Sequence, residues 1–466
     1  MAYESKIERG IIMEEMREIV GIIKKLAEEK DFRKLRTRLE EIYPMDIAEA
    51  FDELSADECI IPFRLLKKDK AADVFSYMSP QRQKDIVGAI HENLLGYIID
   101  ELNFDDLIDF LEDMPANFVK RVIAAVPPEE RELVNRFLNY KDDSAGSIMT
   151  IEYVDLKKHM TVSEAIERIK KVGMDKETVY TCYVLDNTRQ LEGIISLRKL
   201  VLSEGDTLIA DIMTKDVIRF KTDDDQEEIA GVFKKFDFMA LPVVDAENRM
   251  IGIITIDDIV DVIEQENTED IQKMAAITPS DEGYLQTPPL ILARRRFPWL
   301  LVLMVSAVLT GGIIGHYEDI LSAVVVLAVS IPLLMDTGGN AGSQSATLVI
   351  RGLALGEIQI RDWPKVIWKE LRVSLVVGLG LAGVNFLRMA VFGLIFDGIS
   401  MALLITVNAT LIVTVIIAKV VGCSLPILAK SRGLDPAIMA SPLITTIVDA
   451  LALFIYFGIA SLLVLS

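Results

Sequence analysis

Between residues 7 and 140 apolar positions recur at helical spacing in short bursts. Leu94, Leu95, Ile98 and Ile99 make one, and Leu107, Phe110 and Leu111 another. This periodicity predicts amphipathic helices. Breakers at Met45-Asp46, Ser55-Ala56-Asp57, Met78-Ser79-Pro80 and Asn103-Phe104-Asp105 separate them. The repeating order of helix, turn and acidic helix start predicts an all-α superhelical domain over residues 1–140. Over residues 141–266 the pattern changes to helix, strand, turn, strand, helix, and it runs twice, as 141–205 and 206–266. Pro279, Pro288 and Pro289 shorten a connecting/plug helix region, residues 267–296, and leave its plug role open. Residues 297–466 are strongly apolar, with five candidate spans at about 298–315, 320–350, 366–395, 400–423 and 441–464. Each approaches the roughly 20 residues that a bilayer crossing needs. The predicted fold is therefore multidomain: an all-α superhelix, an α/β tandem pair and an α-helical transmembrane domain of five spans.

The α/β pair is an internal repeat. Ile148-Met149-Thr150 recurs as Ile212-Met213-Thr214, and Tyr183-Val184-Leu185-Asp186 as Pro242-Val243-Val244-Asp245. Gly193-Ile194-Ile195-Ser196 recurs as Gly252-Ile253-Ile254-Thr255. The segment resembles a tandem pair of CBS modules, which commonly bind ATP or another adenine nucleotide through a Gly-h-h-Ser/Thr-x-x-Asp ending. The second unit keeps that ending in Gly252, Thr255 and Asp258, whereas the first has Lys199 in place of the Asp.

Composition divides the chain in the same place. The mean hydropathy is +0.34 and 51% of residues are hydrophobic, too apolar for an ordinary soluble protein. Residues 293–466 hold 12 Lys+Arg against 9 Asp+Glu, so they carry +3, and the remaining −24 of the chain's −21 lies in residues 1–292. So negative a soluble half argues against nucleic acid and favours cations as partners. Basic residues gather at one end of the spans (Arg294–Arg296, Arg351, Arg361, Lys365, Lys369, Arg372, Lys419, Lys430 and Arg432), and Glu318, Asp319 and Asp397 lie at the other. By the positive-inside rule the N-terminal half is cytoplasmic, in a multi-pass protein of the cell membrane whose C-terminus is outside. Cys59, Cys182 and Cys423 are scattered without ligand spacing and suit a reducing compartment.

Three polar features resist a merely structural reading. The second span carries Asp336-Thr337-Gly338-Gly339-Asn340-Ala341-Gly342-Ser343-Gln344-Ser345 near its middle. Lipid offers no partner for such side chains or for unwound backbone, so the segment must be buried in protein or line water. The last span carries Asp449, with no Lys, Arg or His in that span, and Thr445 one turn before it. An ionised carboxylate there is costly unless it meets a cation or water, and two copies in a homodimer would form an acidic ring. Third, the helix following the repeat carries Asp257, Asp258, Asp261, Glu264, Glu266, Glu269 and Asp270, whose like charges repel unless a divalent cation bridges them. A hydrated Mg²⁺ keeps several waters and needs only a few carboxylate and carbonyl oxygens along its path. No nucleophile–base pair or phosphate loop appears, so an enzyme is not expected.

The order of acidic helical domain, CBS-like pair, Thr268-Glu269-Asp270 linker and five spans resembles the MgtE family of magnesium channels. Gly338-Gly339-Asn340-Ala341-Gly342-Ser343-Gln344-Ser345-Ala346-Thr347 and Pro442 to Asp449 are similar to its membrane motifs. The resemblance implies a homodimer in the lipid bilayer that imports Mg²⁺ down its electrochemical gradient and closes when cytosolic Mg²⁺ rises. It implies that Asp449 is the central pore carboxylate, with Asn340, Thr445, Gly338 and Gly339 around it. It further implies that Asp258, Asp261, Glu266, Glu269 and Asp270 sense Mg²⁺ together with Asp105 and Asp109 of the helical domain.

Overall fold

The structure is a computed structural model that describes residues 4–112, 114–127, 131–280, 283–285, 287–323, 325–395, 400–439 and 441–463. It forms two compact units, residues 1–262 and 263–466.

The first unit opens with a long helix, Glu4–Glu28, and a series of helices of 7–10 residues. Their starts follow from local chemistry. Asp31 caps one helix by accepting from the Lys34 amide at 3.2 Å, and Ser55 and Glu58 form a capping box at the next but one. Pro44 and Pro80 occupy first-turn positions, where a missing N–H costs nothing. Each short helix packs on the one two places further on: Pro44–Glu53 on Lys68–Ser76, that on Glu92–Glu101, and that on Ala116–Ala125. This stacking is the predicted superhelix. Phe51, Phe63, Phe75 and Phe137 are fully buried along its axis, and Phe75 meets Phe110 edge-on at 5.0 Å. The helix that matters most for the site is α1 (Phe104–Glu112), whose apolar face is buried and whose first turn holds Asp105 and Asp106.

The repeat folds with the expected helix, strand, turn and strand, and each unit gains a leading strand that the sequence reading did not include. In the first module β1 (Tyr153–Leu156) pairs parallel with β2 (Thr178–Leu185), which pairs antiparallel with β3 (Leu191–Ser196). In the second, β4 (Phe220–Lys221), β5 (Ala240–Val244) and β6 (Met250–Thr255) repeat that order. The modules are cross-stitched. Thr150 and Ile253 exchange two backbone hydrogen bonds of 2.8 Å, and Ile194 and Thr214 exchange bonds of 2.9 and 2.8 Å. Thus each Ile-Met-Thr segment is seated on the Gly-Ile-Ile strand of the other half of the repeat. Glycine is required at that crossing: a Cβ on Gly252 would lie 2.5 Å from the Thr150 carbonyl oxygen, and one on Gly193 would lie 2.8 Å from that of Thr214. Gly252 therefore has a packing duty that accounts for it without a nucleotide. After β6 runs α2 (Ile256–Met274), so the acidic helix is continuous across the expected boundary at residue 266. It stops at Met274, and α3 (Pro289–His316) begins only after the Pro279–Pro289 stretch. The expected connecting helix over 267–296 is thus two helix ends with a non-helical link among its described residues.

Among its described residues the second unit contains four helices long and apolar enough to cross a membrane, at Pro289–His316, Ile360–Val391, Met401–Ser431 and Pro436–Leu463, where five spans were expected. Besides α3 these hold α5 (Trp363–Ile395), α6 (Met401–Ser431) and α7 (Ser441–Leu463). Between α3 and α5 lies α4 (Val325–Ala354), 30 residues long, which carries the polar run. α4 is helical throughout the polar run, and Pro332 lies inside it. Its glycines serve close packing. A Cβ on Gly338 would meet Thr414 Cγ2 at 2.7 Å and Val448 Cγ1 at 2.9 Å. One on Gly342 would meet Ile444 Cγ2 at 2.8 Å, and one on Gly422 of α6 would lie 2.2 Å from the Gly342 carbonyl oxygen. Small residues thus let α4 sit against α6 and α7 at backbone distance, the usual means of helix association in lipid. Tyr456 of α7 donates to the Leu327 carbonyl at 2.9 Å and fixes the far end of the same contact.

Replacing Gly422 by Ala should lower the thermal unfolding midpoint of the solubilised protein, through an overpacking cost of about 1–3 kcal/mol. Gly380→Ala, where no heavy atom lies within 4 Å of the added carbon, should leave the midpoint unchanged or slightly raised. Equal effects at the two positions would remove the close-packing account.

Candidate ion path and acidic sensor

In the second unit the predicted path residues converge from two helices. Gly339 of α4 faces Thr445 of α7, whose Cγ2 would lie 2.8 Å from an added Cβ. Asp449 follows Thr445 by one turn and is half-buried. Its Oδ1 is buried and has no hydrogen-bond partner among the described residues. On α4, Asp336, Asn340 and Gln344 follow each other at four-residue intervals and are all exposed, so one face of the helix is a polar stripe. Asn340 Nδ2 donates to Asp336 Oδ1 at 3.1 Å, and Asp336 is the charged group within electrostatic reach of Asp449. Gly338, Gly339, Asn340, Thr445 and Asp449 therefore share one region, and Asp336 joins it. Gly338 is buried against α6 and α7 and contributes by letting the helices meet.

Next to this region is a polar lock that the linear sequence does not reveal. Ser345 of α4 donates to Glu370 Oε2 of α5 at 2.6 Å, and Lys419 of α6 donates to Ser345 Oγ at 3.3 Å. Lys419 lies 3.6 Å from Glu370, and all three residues are buried. Charge and hydrogen bonds are satisfied inside the lock, which Asp449 lacks.

In the first unit, carboxylates from three places in the chain are gathered. Asp105, Asp106 and Asp109 come from α1, Glu152 and Glu177 from the first module, and Asp257 and Asp258 from the start of α2. Burial pushes Asp106 and Glu177 up to about 7, reinforced by the charge of Asp105. Burial and the charge of Asp105 push Asp258 up to about 8. Asp109 keeps an exposed edge, yet loss of water to the surrounding protein and the facing Asp258 raise it to about 8. Asp105 is raised as well, mainly by burial, against the 3.1 Å bond it accepts from the Asp106 amide. Among the described residues no three of these groups are set closely enough to enclose a metal ion. Pairs of carboxylates are what the site offers, and that suits an ion that retains its waters. Asp258 also accepts from the Thr255 hydroxyl at 2.7 Å, so the proposed nucleotide residue and the proposed sensor residue are the same side chain.

Further along α2, Asp261 is exposed, and Glu266, Glu269 and Asp270 are half-buried. In the second unit Lys273 pairs with Glu269 at 2.7 Å and with Asp435, in the link before α7, at 2.6 Å. Burial would lower the Lys273 ammonium, but these two partners outweigh it and hold its pKa above the ordinary value. Asp270 is raised to about 6 by burial and by Asp435. Glu269 is thus already engaged by an ammonium. The sequence reading noted Asp336 within the polar run but missed Asp106, Glu152, Glu177, Lys273 and Asp435. Of these only Asp106 had a visible signal, since it lies in the Asp-Asp-Leu run of α1.

The raised carboxyls make a signed prediction. Their folded forms hold protons that the unfolded chain has released, so this contribution to stability is present at low pH and is lost as pH rises from about 4 to about 8. In divalent-free buffer the unfolding midpoint of the soluble half should fall across that window. Asp106→Asn should flatten the fall and stabilise by about 1–2 kcal/mol near pH 8, after allowance for solvent screening. A midpoint that rises with pH over the same range would contradict the crowding.

Comparison with known proteins agrees with this division. A family described as divalent cation transporter, MgtE, matches residues 331–459. The MgtE intracellular N domain matches residues 42–143, and CBS domains match 145–203 and 209–265. The chain is 40% identical over 440 residues to the magnesium transporter MgtE of Thermus thermophilus, covering 94% of this chain and 96% of that one. It is 33% identical over 429 residues to the magnesium transporter MgtE of Bacillus subtilis, covering 92% and 94%. Among solved structures, the cytosolic domain of the Mg²⁺ channel MgtE in complex with ATP is 37% identical, with a TM-score of 0.51. That match covers 52% of this chain and 99% of that one.

Proposed function

The chain belongs to the MgtE family of magnesium transporters, and on that premise we propose that it imports Mg²⁺ through a path lined by Asp449 and closes when its acidic soluble half meets Mg²⁺. The observation that carries the path is the buried, unpartnered Oδ1 of Asp449 beside the Asp336–Asn340 pair. A carboxylate oxygen without a donor in an apolar helix is costly, and a passing hydrated cation supplies the missing donors through its waters. Thr445 and Asn340 add neutral oxygens on either side, and Gly338 and Gly339 bring α4 near enough to α7 for the two sets to act together. His and Cys are nearly absent from this region, so the donors are hard oxygens suited to Mg²⁺.

The path is completed by a second copy of the chain. In a single copy the polar stripe of α4 is exposed, and α3, 28 residues long, buries none of its residues. With α4 as the fifth crossing, the basic starts of α3 and α5 and the end of α6 lie on the cytoplasmic side, and the C-terminus lies outside. Two copies would cover these faces and place two Asp449 side chains around one axis.

Closure follows from the acidic cluster. Asp105, Asp106 and Asp109 on one side and Asp257 and Asp258 on the other repel when ionised, and the soluble half opens. With Mg²⁺ bridging them the carboxylates tolerate each other, and the half compacts. α2 carries that change along the chain toward the membrane half, with Asp261, Glu266, Glu269 and Asp270 on it. The effector works only through its different affinity for the two forms, and several weak sites together give the few kcal/mol that a near-complete shift requires. The likeness to an ATP-bound relative supports an adenine nucleotide at the CBS pair, near Gly252, Thr255 and Asp258. Because Asp258 serves both roles, nucleotide and Mg²⁺ would influence each other there. A nucleotide receptor whose spans merely anchor it leaves Asp449 without a reason.

Asp449→Asn, which keeps the shape and removes the charge, should reduce Mg²⁺ flux into reconstituted vesicles at least about tenfold, equivalent to some 1.4 kcal/mol on the barrier, without altering the size of the assembly. Flux at the unsubstituted level would move the selective site elsewhere.

A further inference from the structure

We propose that the first three turns of α5 form a binding surface for an anionic phospholipid. Lys365, Trp368, Lys369 and Arg372 follow at i, i+3, i+4 and i+7, and so share one helix face. All four are exposed, whereas Glu370 points the opposite way and is buried against Lys419. Beside this stripe Trp363, Pro364, Ile367, Trp368 and Leu371 line a shallow apolar groove. Arg372 is held at the edge of the groove: its guanidinium lies 5.9 Å from the Trp368 ring centroid, and its Nε donates to the Trp368 carbonyl at 3.4 Å. Trp363 is fixed from behind by its Nε1–H, which donates to Ser424 Oγ of α6 at 3.1 Å.

The charges complement a phosphate headgroup. Arg361, Lys365, Lys369 and Arg372 face outward, with Asp362 the accompanying carboxylate. Asp362 is already used twice, by the Lys365 ammonium at 2.8 Å and by the Gln359 amide at 3.2 Å. The patch is therefore net positive, and it sits where a span passes from water into hydrocarbon. An acyl chain fits the Trp-lined groove while its phosphate lies over the lysines and Arg372. Aromatic rings at the interface and basic side chains beside them are the two elements that such a lipid recognises. The surface depends on the membrane half alone. It does not depend on the gating mechanism or on which leaflet this end faces.

The test uses fluorescence quenching. The full chain with Trp299→Phe retains only Trp363 and Trp368, both in the groove. It is reconstituted in phosphatidylcholine containing a small fraction of either brominated phosphatidylglycerol or brominated phosphatidylcholine. The brominated anionic lipid should quench at a mole fraction about threefold lower or less, a preference of the size expected from a few basic side chains. Lys365→Gln, Lys369→Gln and Arg372→Gln together should remove the preference. Equal quenching by the two lipids in the Trp299→Phe protein overturns the proposal whether or not the triple variant folds. So does a preference that survives the triple substitution. Sodium phosphate at matched ionic strength should leave the preference in place; its loss would assign the patch to a soluble anion and overturn the lipid. Mg²⁺ flux in the same vesicles reports separately on transport.

Discussion

Carboxylates removed from bulk water without a basic partner are the constraint on which this molecule is built. The chain shows elsewhere that it can satisfy a buried acid. Glu370 receives a serine hydroxyl at 2.6 Å and lies 3.6 Å from Lys419. Against that background Asp449, with a buried oxygen lacking any donor, and the Asp105–Asp258 crowd, with carboxyls raised toward 7 and 8, stand out as incomplete. In the proposed function a cation that comes and goes balances each, and the same physics yields transport in one place and control in the other.

The two sites use different kinds of incompleteness. In the membrane half the missing donors are at a single carboxylate per chain, and glycines set how closely the neighbouring oxygens approach. Gly338, Gly339 and Gly342 replace side chains with backbone proximity, so α4 remains an unbroken helix while its outer face stays polar. In the soluble half the cluster is assembled from α1, two points in the first module and the start of α2, and the cross-stitched CBS modules fix the relative position of the last three. The Thr150–Ile253 and Ile194–Thr214 exchanges thus hold Glu152, Glu177 and Asp257 in one place, much as the glycines hold the membrane site.

Much of this was legible in the sequence because it is local or periodic. The superhelix showed in the spacing of Leu107, Phe110 and Leu111, and the paired modules in the repeated Ile-Met-Thr and Gly-Ile-Ile segments. Asp449 was legible as a charge in an apolar run. What could not be read depends on tertiary approach. Glu177 stands before an ordinary strand, and nothing in its neighbours announces Asp105 or Asp257. Lys273 and Asp435 are 162 positions apart, and their ion pair exists only because the fold closes that distance. The polar and glycine content of α4 was visible too; which residues of α6 and α7 its glycines approach was not.

The most direct measurement of the central claim is Mg²⁺ influx into vesicles carrying the full chain, with the Mg²⁺ concentration on the side bearing the soluble half set independently. If unpaired carboxylates drive both conduction and control, influx is fast when that side is free of Mg²⁺. It then falls steeply, at constant driving force, as Mg²⁺ there rises through the millimolar range. Influx that follows the gradient alone, indifferent to Mg²⁺ on that side, would contradict the account.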